Sequence, residues 1–167
     1  GSEMCIRDRA SQAGVKIELI VRGICVLIPG IPGVSDNITV RSIVGRFLEH
    51  SRIFWFRNGG REELYISSAD WMPRNLNDRV ELMVPIEDPE IKRRLKQMVD
   101  IELSDNQKAH IMQADGTWLK TISAENQLCA QEYFQKIAEK RDAEDEMTLA
   151  QKLEPYTPVL GHGDGSD

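Results

Sequence analysis

Arg22 is the first side chain of the sequence whose surroundings suggest chemistry. It interrupts the apolar run IELIVRGICVLI and is followed by Gly23. An arginine in such a run is costly unless it is paired or faces a site at the end of a strand. Arginine can bind phosphate through two hydrogen bonds, and glycine lets a ligand approach the backbone closely. Arg22 is therefore a candidate phosphate ligand, with a structural ion pair as the alternative.

His50 is the second candidate, in the stretch EHSRIFWF. Arg52 is two positions further on, so in an extended segment both side chains point to the same face. A histidine next to a cation suits a site that faces phosphate, where the imidazole can act as a base or nucleophile. A single histidine is more often a surface or packing residue, and that alternative stays open.

The third candidate region is the stretch SSADWMPRN, which follows a predicted strand. Asp70 could hold an imidazole in one tautomer, as carboxylates do in histidine-based sites. Ser68 could add a hydroxyl to the same support. The alternative is that these side chains only cap a loop, which serine and aspartate do readily.

Five predicted strands precede and separate these candidates, and helices follow them. The strands are VKIELIVRG, ITVRSIVGRFL, RIFWF, ELYIS and RVELMVPI, and Asn58-Gly59 predicts a hairpin between the third and fourth. A helix is predicted from Asp88, which suits the N-cap position, with Pro89 in the first turn. SDNQKAHIM is predicted as a short second helix, and a long helix is predicted from a cap at Ser123. The expected fold class is α/β, with a mixed β-sheet packed by helices.

Composition and charge exclude several classes of protein. The net charge of −6 argues against a general nucleic-acid binder. No segment has the ~18 to 20 apolar residues of a membrane span. The three cysteines are widely spaced, which favours reduced thiols in the cytoplasm and argues against a zinc site.

The two ends of the chain differ from its centre. Residues 1–9 have no apolar period, and Met4–Arg9 can be encoded by a string resembling a transposon-end sequencing adapter. We therefore expect residues 1–9 to be artefactual or disordered, and the chain to be a fragment. The expected organisation continues with one α/β lobe over 10–122, a C-terminal helical extension over 123–153 and a disordered tail over 154–167.

Three motifs together resemble a known family. IVRGIC, SIVGRFLEHSRI and SSADWMPRNL, with the sequence between them, closely resemble the C-terminal catalytic domain of bacterial polyphosphate kinase. The resemblance is dense from about Val15 to Ala109 and weaker to about Ile137. It implies the second phospholipase D-like lobe of an enzyme that reversibly transfers the terminal phosphoryl of ATP to polyphosphate.

The resemblance implies roles for two residues. Arg22 would bind nucleotide phosphates, and His50 would contact the transferred phosphate, with Arg52, Asp70 and Ser68 as possible support. The phosphorylated histidine of the family lies in a preceding lobe that this chain does not match, so the chain alone is expected to be inactive. Mg²⁺ would arrive with ATP on ligands outside this chain. ATP, ADP and polyphosphate would be its partners, and the full-length enzyme would be a homo-oligomer in the cytoplasm or peripheral at the inner membrane.

Two other functions stay open. A phospholipase D-like phosphodiesterase would carry an aspartate at the seventh position after its histidine, where this chain has Arg57. A non-catalytic module that binds nucleotide or phosphate is the second alternative.

Overall fold

The computed structural model describes the backbone of residues 3–152 and the side chains of residues 6–142. The architecture is α/β, as predicted, with seven strands in this range rather than five. The helices are α1 Glu3–Gln12, α2 Pro73–Asn77, α3 Pro89–Leu103 and α4 Ala130–Lys152. The strands are β1 Ile17–Ile20, β2 Ile38–Ile43, β3 Ile53–Phe56, β4 Glu63–Ser67, β5 Met83–Pro85, β6 Ala109–Met112 and β7 Trp118–Lys120.

The strands form two sheets. The larger sheet has the order β1-β2-β6-β7 and is mixed, because β1 and β2 are parallel while the other pairs are antiparallel. Its buried core consists of Leu27, Ile38, Val40 and Met112. The β-branched residues of β2 fill this core because the alternate residues Ile38 and Val40 point to the same face.

The smaller sheet is an antiparallel meander of β3, β4 and β5. Its first connection is a short 3-10 turn over Asn58–Gly60, at the place where the Asn-Gly pair predicts a hairpin. Asn58, Gly59 and Gly60 all have positive φ, at 39°, 63° and 95°. Asparagine and glycine tolerate this left-handed region best, which explains why the chain turns here.

Helix α3 begins at the predicted residue for the predicted reason. The Asp88 carboxylate accepts hydrogen bonds from the backbone N–H groups of Glu90 and Ile91, both at 2.9 Å, and Pro89 occupies the first turn. At the other end of the helix, Arg41 of β2 donates a hydrogen bond to the carbonyl of Leu103. The larger sheet thus holds the C-terminal end of α3.

The segment predicted as a second short helix, SDNQKAHIM, is not helical, and its last four residues form strand β6. Residues 109–112 pair with both β2 and β7, and His110 lies opposite Ser42 and Lys120. The helical prediction was wrong because a segment of nine residues is too short for periodicity to distinguish a helix from a strand, and pairing with distant strands decided the outcome.

Helix α4 begins later than predicted. It starts at Ala130 rather than after Ser123, whose hydroxyl instead forms hydrogen bonds with the backbone of Glu125. The chain divides into two compact units after Gln131. The tail predicted over 154–167 lies outside the described residues.

Helix α1 occupies most of the segment that the sequence predicted to be artefactual or disordered. Within it, the guanidinium carbon of Arg7 lies 5.5 Å from the centroid of the Trp71 ring. This is within the range of a cation–π contact. Among the helices described, none is long and apolar enough to cross a membrane.

Candidate functional site

The candidate residues lie where the chain leaves its strands. Arg22 follows β1, His50 and Arg52 lie in the connection from β2 to β3, and Asp70 follows β4. The site is thus built from segments that leave both sheets. Arg22 and His50 both lower the pKa of Asp70, after the larger effect of Arg52. The fold therefore brings these four residues into one electrostatic neighbourhood.

Arg22 is anchored at the backbone beside His50. Its Nη1 donates a hydrogen bond of 2.6 Å to the carbonyl oxygen of Glu49, and its own carbonyl accepts one of 3.3 Å from the hydroxyl of Ser42. Among the described residues, Arg22 forms no salt bridge, so the structural ion pair suggested as an alternative is not seen there. The side chain is exposed, and its remaining N–H groups can donate to an anion.

Arg52 lies between His50 and Asp70. Its terminal nitrogens lie 3.3 Å from Nδ1 and 3.2 Å from Nε2 of His50, and its Nε donates to Oδ1 of Asp70 at 2.7 Å. A neutral imidazole accepts at one nitrogen only, so the guanidinium and the ring lie side by side rather than sharing two full hydrogen bonds. Asp70 therefore acts on His50 through Arg52, whereas the sequence suggested direct support.

Asp70 is itself held in place by its neighbours. The hydrogen bond from Arg52 lowers the pKa of its carboxyl, so it is ionised near neutral pH. The next residue, Trp71, stacks on Phe54 of β3 with ring centroids 5.4 Å apart. An aromatic contact of this kind fixes the path of the chain immediately after Asp70.

Ser68 is not in direct contact with His50. Its hydroxyl donates to the carboxylate of Glu81 and accepts from the backbone N–H of Leu82 at 3.0 Å. The buried Asn75 also donates to Glu81, at 2.7 Å, and these two hydrogen bonds lower the pKa of Glu81. Glu81 in turn raises the pKa of Arg52 slightly, after the main effect of Asp70. Ser68 is thus connected to Arg52 through Glu81.

Two residues near the site carried no recognisable signal in the sequence. Gln131, at the start of α4, forms hydrogen bonds with Phe47 and with the carboxylate of Glu49. Glu102, near the end of α3, is buried, and burial followed by repulsion from Glu49 raises its pKa to about 7. Gln131 and Glu102 each interact with residues that are far away in the sequence, and neither of the two belongs to a recognisable motif.

The arrangement is suited to binding an anion. Two arginines and an exposed imidazole lie close together, while the one carboxylate among them is neutralised by Arg52. Charge of this kind can position a phosphate and neutralise it without any covalent step. Over the described part of the chain, no group of three or more histidine, cysteine, aspartate or glutamate side chains could hold a metal ion.

Comparison with known proteins gives consistent matches. Residues 6–131 match the family described as "Polyphosphate kinase C-terminal domain 2". The chain is 57% identical over 119 residues to a polyphosphate kinase of Pseudomonas aeruginosa, covering 71% of this chain and 17% of that protein. It is 62% identical over 109 residues to the Thermosynechococcus vestitus polyphosphate kinase, covering 65% of this chain and 15% of that protein.

A solved structure is also similar. The crystal structure of polyphosphate kinase from Porphyromonas gingivalis matches with a TM-score of 0.78 and 42% sequence identity, over 84% of this chain and 22% of that chain. This likeness agrees with the phospholipase D-like fold expected from the sequence. In each comparison the chain spans about a fifth of its relative or less.

Proposed function

Because the chain belongs to the polyphosphate kinase C-terminal domain family, we propose that it is part of an enzyme that reversibly transfers the terminal phosphoryl of ATP to polyphosphate. The observation that carries the proposal is the family match combined with the position of Arg22 beside His50. Phosphoryl transfer depends mainly on positioning and charge neutralisation, and these are the properties that the arrangement of charges supplies.

In this proposal Arg22 binds nucleotide phosphates and His50 contacts the transferred phosphoryl group. The link between the backbone of Glu49 and the Arg22 guanidinium keeps the two side chains in a fixed relation. Arg52 adds positive charge and orients the imidazole, and Asp70 holds Arg52. The phosphohistidine forms on a histidine outside this chain, in the part of the longer relatives that the chain does not cover.

ATP, ADP and polyphosphate are the proposed partners, and Mg²⁺ is proposed to enter with the nucleotide. The described residues do not by themselves fit a magnesium site, because Asp70 is paired with Arg52 and Glu81 is bound by Ser68 and Asn75. We derive no step through the metal. A cytoplasmic location and a homo-oligomeric full-length enzyme are also part of the proposal.

A phosphodiesterase of the phospholipase D type is not favoured. The seventh position after His50 is Arg57, which lies at the start of the turn between β3 and β4. An exposed, positively charged arginine at this position cannot replace the carboxylate of the missing aspartate.

The proposal is tested by Arg22→Ala and His50→Ala in the complete enzyme. Each change is expected to lower kcat for polyphosphate synthesis by about 100-fold or more, the effect of removing one group that stabilises a transition state. The reverse reaction, from ADP and polyphosphate, should fall in parallel. The exposed Arg57→Ala is the control. Near-normal rates for both site variants would overturn the assignment.

A second measurement uses this chain alone. The purified chain of 167 residues is expected to make no polyphosphate from ATP. Robust synthesis would show that the nucleophile lies within it. A different outcome would favour the non-catalytic module: the chain binds nucleotide, but Arg22→Ala and His50→Ala leave the turnover of the complete enzyme unchanged.

A further inference from the structure

We propose that Gln131, together with Gly45, is a positioning residue for the segment that carries His50. The inference rests on the proposed function for its effect on turnover, but its structural part is tested separately. Gln131 lies at the start of α4, 84 residues from the backbone that it holds. It does not touch the candidate phosphate ligands and acts through the chain that leads to them.

The Gln131 amide binds this segment at three points. Its Oε1 accepts from the backbone N–H of Phe47 at 3.0 Å, and its Nε2 donates to the carbonyl of Phe47 at 2.8 Å. The same Nε2 donates to a carboxylate oxygen of Glu49 at 2.6 Å. The amide thus pairs with both polar groups of one residue, as a neighbouring strand would. Gln131 is only 5% exposed, so a buried polar group that lost these partners would be costly to leave unsatisfied.

Gly45 makes room for the Gln131 amide. A Cβ atom built at position 45 would lie 2.2 Å from Oε1 and 2.8 Å from Cδ of Gln131. Real Cβ atoms do not approach other atoms so closely, so any other residue at 45 would force the amide or the backbone to move. The two positions are therefore expected to act as one unit.

The held segment leads directly to the candidate site. Residues 44–52 belong to no strand, and Phe47 and Leu48 are exposed, by 49% and 72%. Little packing therefore fixes this segment. Ahead of His50, its hydrogen bonds to distant residues are those of the Gln131 amide at Phe47 and Glu49 and of the Arg22 guanidinium at the Glu49 carbonyl. His50 is the next residue after Glu49. The Gln131 amide therefore positions both the His50 imidazole and the Arg22 guanidinium that binds the Glu49 carbonyl.

Hydrogen exchange tests the structural part, whatever the function. In Gln131→Met, which keeps the size of the side chain but loses its hydrogen bonds, the Phe47 amide of this chain should exchange at least about tenfold faster. The amide of Val40 in β2 should be unchanged. The matched control is Gln135→Met, one turn further along α4, where the exposed side chain donates a hydrogen bond to Glu139. Unchanged exchange at Phe47 in folded Gln131→Met would overturn the proposal.

Kinetics of the complete enzyme test the consequence for turnover. Gln131→Met should lower kcat by about 10- to 100-fold, because a small displacement of a reacting group has effects of this size. The KM for ATP should change less than threefold, whereas general unfolding would reduce active enzyme without changing either constant per folded molecule. If hydrogen exchange at the Phe47 amide becomes faster but kcat per folded molecule is unchanged, the positioning role is refuted. The hydrogen bonds of Gln131 then serve the structure alone.

Two further variants separate positioning from simple damage. Gly45→Ala should lower kcat in the parent. It should lower kcat little further in Gln131→Ala, where the side chain that it would collide with is gone, and additive effects would contradict the coupling.

Gln131→Glu keeps an acceptor for the Phe47 N–H but faces the Glu49 carboxylate. Its kcat relative to the parent should therefore rise as the pH falls from about 8 to about 6, since protonation restores a donor. A pH-independent ratio would count against the assigned hydrogen bonds. If Arg22→Ala and His50→Ala are also silent, the proposed function fails, while the exchange result still stands.

Discussion

Asp70 is connected to His50 by the guanidinium of Arg52. The carboxylate accepts from Nε of that arginine at 2.7 Å, and the terminal nitrogens on its other side lie 3.2 and 3.3 Å from the imidazole ring. The arginine therefore carries the influence of the carboxylate to the ring. Replacing either the Asp70 carboxylate or the Arg52 guanidinium should therefore change the orientation of the His50 imidazole while leaving the ring in place.

Asp70→Asn should lower kcat of the complete enzyme by about tenfold, the lower end of the range for residues that orient a site from its outer contacts. The amide oxygen can still accept from Arg52, but the charge that balances the arginine is lost. Arg52→Lys should have a larger effect because a compact ammonium lacks the planar set of nitrogens with which the guanidinium reaches Asp70 on one side and His50 on the other. Steady-state kinetics checks both variants, with Arg61→Lys as the control for an arginine-to-lysine exchange at an exposed position.

The same carboxylate should contribute to stability in a defined pH range. Its pKa is lowered in the folded state, mainly by the Arg52 hydrogen bond, so its contribution is present above the ordinary carboxyl pKa. That contribution is lost as the pH falls through the lowered value. Denaturant unfolding of the parent and Asp70→Asn between about pH 6 and pH 2 should therefore converge at the acid end. Curves that stay parallel would contradict the ion pair.

Glu102 should have the opposite effect on stability. Burial and Glu49 raise its pKa from 4.5 to about 7, so the folded chain keeps this proton at higher pH than the unfolded chain does. The free energy of unfolding is therefore expected to fall as the pH rises from about 4.5 to about 7. Glu102→Gln should remove this fall and stabilise the chain at pH 8 by up to about 3 kcal/mol. The exposed Glu62→Gln should leave the pH profile as it is.

Asp105 should be important for the fold. Its buried carboxylate accepts from the N–H groups of Gln107, Lys108 and Ala109 through Oδ1, and from that of Ala130 through Oδ2. It thereby joins the start of β6 to the first residue of α4. Asp105→Asn turns one end of the side chain into a donor, so one of these N–H groups is left without its acceptor.

The expected loss for Asp105→Asn is about 1–3 kcal/mol in the free energy of unfolding. The comparison is Asp100→Asn, which breaks only an exposed pair with Lys96 on α3, and which should cost about 0.5 kcal/mol or less. Equal losses in the two variants would show that the Asp105 hydrogen bonds add nothing beyond an ordinary surface contact.

Local signals predicted the elements whose causes are local. The Asp88 cap and Pro89 predicted where α3 begins, and Asn58-Gly59 predicted the turn between β3 and β4. Both depend on neighbouring residues in the chain. Arg22, His50, Arg52 and Asp70 were also selected from their residue types and from the resemblance, and the structure places them in one neighbourhood.

Features that depend on distant residues were not predicted. Strand β6 was taken for a helix because its pairing with β2 cannot be seen in four residues. The role of Ser68 depends on Glu81, and the place of Gln131 depends on a segment 84 residues earlier. Neither a periodicity nor a spacing rule connects such residues, because the contact exists only once the sheets have formed.

The absence of any strand over residues 44–52 has a consequence for heat inactivation. The imidazole depends on a few side-chain hydrogen bonds, whereas the sheets depend on continuous backbone pairing and a buried core. Opening of the connection requires less free energy than melting of the domain. Turnover should therefore decline on heating at temperatures where circular dichroism still shows intact sheets, and it should recover on cooling as long as the domain has not unfolded.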